Sequence, residues 1–573
     1  MDNPVIFAVD GDESTRVPLV RDLERRFGAE YRVTVVDSAT RGLAALKAIR
    51  QAGDEVAIVV VAHQLPEMTG IAFLDQADDL FPDAQRGLLV NPGPAGMTEP
   101  IRRALLLDRL DFQIASPWVS PEEWLYPRIT DALSAWTRAN RPRDVTVTII
   151  DRRWDPRGHD LRDLLERSGV PYGFLPLDSP QAQELLTQLG ISGERLPVAI
   201  HRDGTVQLDP PNEELAAALG VATQPPTDRA DVAIIGSGPA GMAAAVYGGS
   251  EGLRTVVVES GALGGQAATS NLILNYLGFP RGLSGRELTS RAYWQALLFG
   301  ALFVFTRRVI GLRIYEGEHI LTFDNGTELV SQAVVVASGI APRRLGIPAL
   351  EALIGRGVFY GATGAEAAAL EGEEVCVAGG GNSAGQATLH LAKHAARVTL
   401  LVRGDALTPG MSDYLIQRIG AAPNVAVRLN TQIVDGIGER RLRGLVLEER
   451  TAGEREHVPA SALFVEIGGE PHVGWLPDTV ARDERGYVLT GRNLRVGQGL
   501  ATWPLDRLPL PLETSVPGVF AAGDVRRGSI HRVASAVGDG AVAIRSVHEY
   551  LGEGGEPGRG TAAPLAAAPR GAS

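Results

Sequence analysis

The chain has 573 residues, more than one hydrophobic core usually supports, so its length predicts about three to five domains. Hydrophobic residues make up 45% and charged residues 21%, a balance that is typical of globular chains and excludes wholesale disorder. The formal net charge of −13 argues against a nucleic-acid partner, because a phosphate backbone is bound by clustered lysines and arginines.

No secretory or membrane segment is predicted. The N-terminus lacks a basic segment followed by an apolar run, and the most apolar stretches, 56–62 and 296–305, are much shorter than the roughly 20 residues of a transmembrane helix. We therefore expect a soluble, cytoplasmic protein without a membrane partner. The single cysteine, Cys376, excludes a disulfide within the chain and a thiol-based metal cluster, and no metal site is predicted.

Residues 1–140 predict a parallel α/β sheet of the flavodoxin-like class. Apolar strands at 5–9, 33–36, 58–61 and 87–90 alternate with amphipathic stretches. A helix predicted at 122–138 closes the tract. The tract resembles a response-regulator receiver, which requires an acidic pair, an acceptor aspartate, a hydroxyl and a lysine.

Most of those receiver residues are replaced. Asp10 and Asp12 match the acidic pair, but Ala62 takes the place of the acceptor and Ser116 the place of the lysine. The hydroxyl position falls near residues 90–91, which are valine and asparagine. His63 is a conceivable substitute acceptor, although a surface histidine is the simpler interpretation. We interpret this domain as a pseudoreceiver.

Residues 141–225 predict a smaller α/β domain. A strand at 145–150, a helix at 161–167, a strand at 171–177 and a hairpin that turns at Asp203-Gly204 resemble a thioredoxin or glutaredoxin fold. The loop at 151–158, where that family carries its cysteine pair, has none. Leu196-Pro197 matches the cis-proline turn of the fold. Trp154, in the loop, is either a binding platform or a packing residue.

Residues 231–241 predict a dinucleotide-binding loop. An apolar strand leads into Gly236, Gly238 and Gly241, which permit a tight turn, the approach of a pyrophosphate and close packing of helix on strand. The helix N-terminus then offers free N–H groups to the phosphates. Glu259, at the end of the next strand, is placed to accept hydrogen bonds from ribose hydroxyls. This context favours a ligand site over a glycine-rich turn without a ligand.

A second loop of the same type lies at 374–384. Gly379, Gly381 and Ala384 follow one strand, and the next strand ends in Arg403 instead of an acid. An arginine there favours the 2′-phosphate of NADP, and a solvated arginine is the alternative interpretation. Two nested dinucleotide sites are typical of a flavoprotein that takes hydride from a nicotinamide.

The segment 519–526 indicates the flavin. Asp524 follows a strand and a glycine, and its carboxylate is placed to accept from a ribityl hydroxyl of FAD. The helical stretch at 532–550 begins just after it, and the positive end of that helix stabilises a reduced flavin.

These motifs carry a resemblance over residues 230–551 to the low-molecular-weight thioredoxin reductases. The matching stretches are GSGPAG at 236–241, GGQ at 264–266, NYLGFP at 275–280, ASGIAPRRLGIP at 337–348, GGGNSA at 379–384 and AAGD at 521–524. The resemblance implies a homodimer and a rotation between an FAD domain, 226–340 with 465–553, and an inserted NAD(P) domain, 341–464.

The resemblance also implies the cofactor-binding residues. Those for FAD are Gly236, Gly238, Pro239, Ala240, Gly241, Glu259, Gly265, Gln266, Asn275, Ala337, Gly339, Gly523, Asp524, Arg532, Val533 and Ala534. Those for NADP, with NAD as the alternative, are Gly379, Gly381, Asn382, Ser383, Ala384 and Arg403. A second arginine that the family carries beside Arg403 is missing, which keeps NADH use open.

The chain departs from the family at the redox-active dithiol. Gly361 and Gly364 occupy the two cysteine positions, and glycine has no side chain with which to carry electrons. Cys376 lies in the strand before the second glycine loop, where a buried, inert thiol is expected. No catalytic side chain is predicted.

The order of the domains resembles proteins described as fused response regulator and thioredoxin reductase, and the tail, 554–573, is predicted to be disordered. The predicted function is hydride transfer from NAD(P)H to flavin N5 and onward to an external acceptor. Candidate acceptors are a ferredoxin- or flavodoxin-like protein, a quinone and oxygen. The alternatives are a signalling flavoprotein that senses NAD(P)H or redox state through its front domains, and a thioredoxin-disulfide reductase.

Overall fold

A computed structural model of the chain describes residues 3–91, 98–107, 109–140, 145–270, 272–279, 282–361, 370–496, 499–500 and 503–553. Gly364 and the tail predicted to be disordered, 554–573, lie outside the described residues. Within the described part of the chain, no helix combines the length and apolar character that a membrane crossing requires.

The first unit, residues 3–140, is a doubly wound parallel sheet. Its elements are β1 (Val5–Val9), α1 (Glu13–Phe27), β2 (Arg32–Val36), α2 (Ala39–Ala52), β3 (Val56–Ala62), α3 (Gly70–Asp78), β4 (Gln85–Val90), α4 (Glu99–Leu106), β5 (Phe112–Ala115), α5 (Pro121–Trp124) and α6 (Tyr126–Asn140). The strand order β2-β1-β3-β4-β5 is that of flavodoxin-like sheets. β1 is buried along its whole length because helices cover both faces.

One predicted helix of this unit is divided. The helix expected at 122–138 is two helices, α5 and α6, separated at Leu125. Pro127 explains the division, since proline lacks the N–H that would bond to the carbonyl of Glu123 and its ring would clash there.

The predicted acidic pair has partners within the fold: Asp12 caps α1 by accepting from Ser14 N at 2.9 Å. Likeness to a receiver stays a prediction.

The second unit, residues 145–221, has a four-stranded mixed sheet. Its elements are β6 (Val147–Asp151), α7 (Pro156–Arg167), β7 (Tyr172–Pro176), α8 (Pro180–Leu189), β8 (Val198–His201), β9 (Val206–Leu208) and α9 (Asn212–Ala218). The strand order is β7-β6-β8-β9, with β7 parallel and β8 antiparallel to β6. The Leu196–Pro197 peptide bond is cis.

α7 begins earlier than the sequence predicts, at Pro156 instead of residue 161. Asp155 Oδ1 accepts from Arg157 N at 2.9 Å, and Pro156 occupies the first helical position, where its missing N–H costs nothing. The extra turn places the N-terminal end of α7 in the loop that was predicted to be irregular.

The remainder of the chain forms an outer module with a second module inserted into it. In chain order the elements are β10 (Arg229–Ile235), α10 (Pro239–Ser250), β11 (Thr255–Glu259), α11 (Gly285–Leu298), β12 (Leu302–Phe305), β13 (Val309–Tyr315), β14 (Glu318–Phe323), β15 (Glu328–Val336), β16 (Ile340–Pro342), α12 (Pro348–Glu351), β17 (Val358–Tyr360), β18 (Glu374–Ala378), α13 (Asn382–Leu391), β19 (Arg397–Leu401), α14 (Asp413–Ala421), β20 (Val425–Arg428), β21 (Thr431–Ile437), β22 (Gly444–Glu449), β23 (Arg455–Pro459), β24 (Ala462–Val465), β25 (Gly469–Pro471), β26 (Arg495–Val496), β27 (Gly499–Leu500), β28 (Val519–Ala521) and α15 (Val533–Glu553).

The outer module, residues 229–339 and 472–553, is built on one sheet. Its strands run in the order β12-β11-β10-β15-β14-β13, and β28 pairs with β15 in parallel. β15 and β28 are therefore neighbours in space, although the whole inserted module lies between them in sequence. The α10 and α15 helices cover one face of this sheet and share a buried apolar cluster with it.

The inserted module, residues 343–468, has its own parallel sheet in the order β17-β24-β18-β19-β20. An antiparallel meander, β21-β22-β23, packs beside it. The chain passes between the two modules twice, at β16 and at β25. These two strands pair with each other, with Ala341 opposite Glu470. This two-stranded ribbon is the covalent connection between the modules.

Candidate dinucleotide-binding site

The first glycine loop joins β10 to α10. Gly236 has a φ of +105°, and a Cβ there would lie 2.5 Å from the carbonyl oxygen of Ala337. A Cβ on Gly241 would lie 1.9 Å from the carbonyl oxygen of Gly236. At Gly238 no atom from the described part of the chain lies within 4 Å of a Cβ placed there. Two glycines are therefore required by packing, whereas the third leaves an open face at the N-terminus of α10.

Glu259 ties the end of β11 to this loop. Its Oε2 accepts from the backbone N and from Oγ of Ser237, both at 2.8 Å, and its Oε1 accepts from Gly261 N at 2.8 Å. Each carboxylate oxygen has further acceptor capacity. The carboxylate that was predicted to bind ribose thus also braces the glycine loop from within the chain.

The second glycine loop, between β18 and α13, repeats this geometry. Gly379 has a φ of +151°, and a Cβ there would lie 2.4 Å from the carbonyl oxygen of Glu466. At Gly381 the nearest atom to a built Cβ is 3.9 Å away, so this face of the loop is open. Asn382 Oδ1 accepts from Ser412 N at 2.8 Å, which links the loop to the start of α14.

Arg403 follows β19 and has an exposed side chain beside the second loop. Its carbonyl oxygen accepts from Arg450 Nη1 at 2.8 Å, which holds the backbone at the strand end. The exposed guanidinium is consistent with a phosphate ligand and with a solvated arginine. Ser383 lies on the same side of the loop and lines the adjoining cavity.

Asp524 lies in a short 3-10 turn after β28. Its Oδ1 accepts from Ser529 Oγ at 2.6 Å, and its Oδ2 lies 3.3 Å from His531 Nδ1. Burial disfavours the charged form, but the bonds from His531 and Ser529 outweigh it and lower the pKa of Asp524 below its ordinary value. The carboxylate is therefore an anionic acceptor at neutral pH.

Two residues that support Asp524 were not predicted from the sequence. His531, in the left-handed region with a φ of +49°, precedes α15. Asp539, on α15, accepts from Gly523 N at 3.0 Å and from Arg526 Nε at 2.6 Å, which anchors the turn. A histidine just before a helix and an acid in the middle of that helix carry no sequence signal that distinguishes them from surface residues.

Both glycine loops line one cavity of about 1420 Å³. Typical small-molecule pockets measure about 300–1,000 Å³, so the cavity is larger than a single such ligand requires. The predicted site residues that line it are Gly236, Gly238, Pro239, Ala240, Glu259, Gly265, Gln266, Asn275, Ala337, Gly339, Gly523, Asp524, Arg532, Val533, Gly379, Gly381, Asn382, Ser383 and Arg403.

Three predicted site residues are placed elsewhere. Gly241 packs against Gly236 beneath the first loop, and Ala384 is fully buried beneath the second. Ala534, in the first turn of α15, is exposed and does not line the cavity. Successive residues at a helix start face the interior, the solvent or the ligand side in turn, and the predicted contacts of these three residues with a cofactor stay predictions.

The cavity wall includes side chains from the second unit. His159, Asp163 and Arg167 project from α7 and line the cavity together with Gly361 of the inserted module. Gly361 has a φ of +94°, and no atom of the described residues lies within 4 Å of a Cβ placed there. No motif in the sequence predicts α7 at this position.

The one thiol of the chain does not line this cavity. Cys376 lies in β18 and is only 3% exposed. Burial raises the pKa of the Cys376 thiol to about 12. A thiolate is the reactive form, so this thiol is unreactive near neutral pH.

Comparison with known proteins identifies the family of the C-terminal part. Residues 230–540 match the family model described as pyridine nucleotide-disulphide oxidoreductase. The chain belongs to this family. The match begins after the first and second units of this oxidoreductase, so it concerns the outer and inserted modules.

Several curated relatives of this chain are thioredoxin reductases. That of Treponema pallidum is 34% identical over 323 residues, covering 56% of this chain and 97% of the relative. That of Bacillus subtilis is 32% identical over 327 residues, covering 56% and 95%. The solved thioredoxin reductase of Lactococcus lactis has a TM-score of 0.51 and 28% identity, and covers 56% of this chain and 99% of its own. The C-terminal part therefore has a thioredoxin reductase-like α/β dinucleotide-binding fold.

Proposed function

We propose that the chain is an FAD-dependent NAD(P)H oxidoreductase that passes electrons to an acceptor outside its own chain. The observation that carries this proposal is the shared cavity: two glycine loops with open helix N-termini line it, whereas the only thiol of the chain is buried elsewhere. Hydride transfer from NAD(P)H to FAD requires a binding loop for each dinucleotide, and the chain has two loops of this type.

The first loop and the turn at Asp524 fit FAD. Gly238 leaves room for a pyrophosphate at the positive end of α10, and Glu259 and Asp524 offer carboxylates to ribose and ribityl hydroxyls. The further residues proposed to contact FAD are Pro239, Ala240, Gly265, Gln266, Asn275, Ala337, Gly339, Gly523, Arg532 and Val533.

The second loop fits a nicotinamide dinucleotide. Gly381 leaves the N-terminus of α13 open to a pyrophosphate, and Ser383 lies beside it. The exposed guanidinium of Arg403 favours the 2′-phosphate of NADP over the free hydroxyl of NAD. We propose NADPH as the electron donor, with NADH as the alternative.

The role of the protein in this reaction is to position the reactants. A bound flavin would supply the two-electron acceptor for the hydride and the route to the external acceptor. The chain contributes two loops that would hold the dinucleotides and a carboxylate at Asp524 that would orient the ribityl chain. No side chain is required as an acid, base or nucleophile for the hydride step.

Disulfide reduction by this chain is disfavoured by the same residues. Gly361 offers no side chain at the cavity, and Gly364 is likewise a glycine in the sequence. Cys376 is buried and its pKa is raised to about 12. Electrons therefore have no thiol relay within the chain, and the acceptor must reach the flavin directly or dock beside it.

Anaerobic stopped-flow with the purified protein tests the proposal. Mixing with excess NADPH, and in a parallel experiment with NADH, should bleach the absorbance of the oxidised flavin within seconds. Reoxidation is then followed with a panel of ferredoxin- and flavodoxin-like carriers, quinones and oxygen. A flavin that stays oxidised with both nucleotides contradicts the proposal. Rapid thioredoxin-linked reduction of DTNB would show the disulfide reductase activity that the missing dithiol disfavours.

A second candidate function is a signalling flavoprotein that senses nucleotide or redox state. The contact of α7 with both modules supports it, because a rotation of one module would be transmitted to the second unit. This candidate predicts negligible turnover with every acceptor and a change in small-angle scattering when NADPH is added. Steady turnover without such a change favours the oxidoreductase.

A further inference from the structure

The second unit contacts both modules through one helix and the loop before it. On the outer module, Glu166 Oε1 lies 2.6 Å from Arg286 Nη2, and Arg167 Nη2 donates to the carbonyl oxygen of Gly265 at 3.3 Å. Gly265 itself lies against the first glycine loop, since a Cβ on it would be 3.2 Å from Gly238 Cα. The C-terminal end of α7 is thus attached beside the proposed FAD pyrophosphate site.

The N-terminal end of the same helix is attached to the inserted module. Trp154 packs against the apolar cluster beneath the second glycine loop, and the guanidinium of Arg441 lies 5.8 Å from its ring centre. The rings of His159 and Phe359 are 5.1 Å apart. Phe359 is two residues before Gly361, which lines the cavity.

A close backbone approach completes this second attachment. A Cβ on Gly355 would lie 2.8 Å from Pro156 Cα, so the chain of the inserted module passes tightly against the start of α7. Gly355 also has a φ of +73°, which disfavours other residues. A shift of the inserted module would therefore break the close contact between Gly355 and Pro156.

The second unit is also fixed to the outer module at its other end. Arg307, which is buried, pairs with Glu213 of α9 and donates through Nε to the carbonyl oxygen of Thr223 at 2.8 Å. The second unit is therefore attached to the outer module at two places, through α7 and through α9. α7 also contacts the inserted module.

We propose that Trp154 and Glu166 are positioning residues that hold the inserted module in a single orientation on the outer module, so that both glycine loops keep facing one cavity. The proposal rests on the proposed hydride transfer, which requires the two dinucleotides to meet in that cavity. Because the only thiol of the chain, Cys376, is buried, no internal dithiol step calls for another orientation.

The orientation is measured as a distance between two labels in the full chain. Gln417→Cys on the inserted module and Glu484→Cys on the outer module are exposed attachment sites for spin labels. Cys376 stays unlabelled because it is buried and its pKa is raised to about 12. Dilution with unlabelled protein isolates distances within one chain, which are read by pulsed dipolar spectroscopy.

The test variants remove the contacts of α7 and leave both loops intact. Trp154→Ala with Glu166→Gln is the test pair, and Arg441→Gln is an independent variant on the opposite side of the contact. Trp154 does not belong to the apolar clusters of the second unit, so its truncation should leave that unit folded. Arg153→Ala, exposed and adjacent, is the matched control.

We expect one narrow distance in the parent and in Arg153→Ala, unchanged by NADPH. In the double variant we expect a second, populated distance, with flavin reduction at saturating NADPH slowed about ten- to a hundredfold and the Kd for NADPH nearly unchanged. A parent distance that shifts on adding NADPH, or a double variant with the parent distribution, overturns the proposal. If NADPH never reduces the flavin of the parent protein, the proposed function is contradicted. The measured label distances still show whether the inserted module has a single orientation.

Discussion

Asp524 and His531 form an ion pair across the turn that enters α15, with Oδ2 of the aspartate 3.3 Å from Nδ1 of the histidine. The hydrogen bond to Asp524 raises the pKa of His531 above its ordinary value, while the bonds from His531 and Ser529 overcome burial and lower the pKa of Asp524. Both residues line the candidate FAD site. The pair therefore keeps the predicted ribityl acceptor in its charged form.

The first prediction concerns the pH dependence of this pair. The raised pKa of His531 contributes stability below the histidine's unfolded pKa, which is lost as the pH rises through the folded value. The lowered pKa of Asp524 contributes stability above the unfolded value of the aspartate, which is lost as the pH falls. In His531→Asn, which tolerates the left-handed backbone, the loss in Tm should be larger near pH 6 than near pH 9.

The magnitude of that loss is expected to be small, because His531 is nearly half exposed and solvent screens the pair. Thermal unfolding of the parent and of His531→Asn at both pH values is the measurement. An equal loss in Tm at both pH values would mean that the pair contributes no charge-dependent stability. His457→Asn, at an exposed histidine of β23 outside the cavity lining, is the control.

The second prediction separates the packing role of one glycine from the ligand role of another. Gly241→Ala forces a Cβ to within 1.9 Å of a carbonyl oxygen and should lower the free energy of unfolding by about 1–3 kcal/mol. Gly238→Ala meets no atom within 4 Å, so it should leave the stability of the apoprotein unchanged and weaken FAD binding.

Denaturation of the apoproteins and titration with FAD measure these two effects. Gly420→Ala, at a glycine in α14 with no atom within 4 Å of a built Cβ and outside the cavity lining, is the matched control for Gly238→Ala. If Gly238→Ala binds FAD as tightly as the parent, the first loop is not the pyrophosphate site.

The third prediction concerns the choice between NADPH and NADH. Arg403→Gln removes an exposed guanidinium beside the second loop and should reduce the NADPH-to-NADH ratio of kcat/KM at least about tenfold, because a charged hydrogen bond to a phosphate contributes about 1.5–3 kcal/mol. The activity with NADH should change little. Arg440→Gln, exposed and outside the cavity lining, is the control. An unchanged ratio in Arg403→Gln would identify Arg403 as a solvated residue.

The fourth prediction concerns the thiol. Cys376→Ala should retain the rate of flavin reduction and of turnover, because the thiol is buried in β18 and its pKa is raised to about 12. DTNB should find no reactive thiol in the native protein and one in the unfolded chain. Loss of turnover in Cys376→Ala, with the flavin still bound, would show that the thiol takes part in the reaction.

Both glycine loops could be predicted because their requirements are local. Gly236 and Gly379 occupy strand-to-helix turns that need a positive φ, and the structure has them there. α7 begins earlier than the sequence predicts, because the apolar pattern starts only at Leu161 whereas Asp155 caps the helix six residues before it. The helix at 122–138 was predicted as continuous, because its amphipathic pattern persists across the break before Pro127.

The sequence by itself determined where the two glycine loops lie and that no thiol relay is available, since both follow from residue identity and short-range backbone requirements. Only the tertiary structure decided which distant side chains meet. The pairing of Glu166 with Arg286 and the packing of Trp154 beneath the second loop arise from the way three separately folded sheets pack together. Such contacts lie between elements far apart in the chain, so no periodicity or motif within either element encodes them.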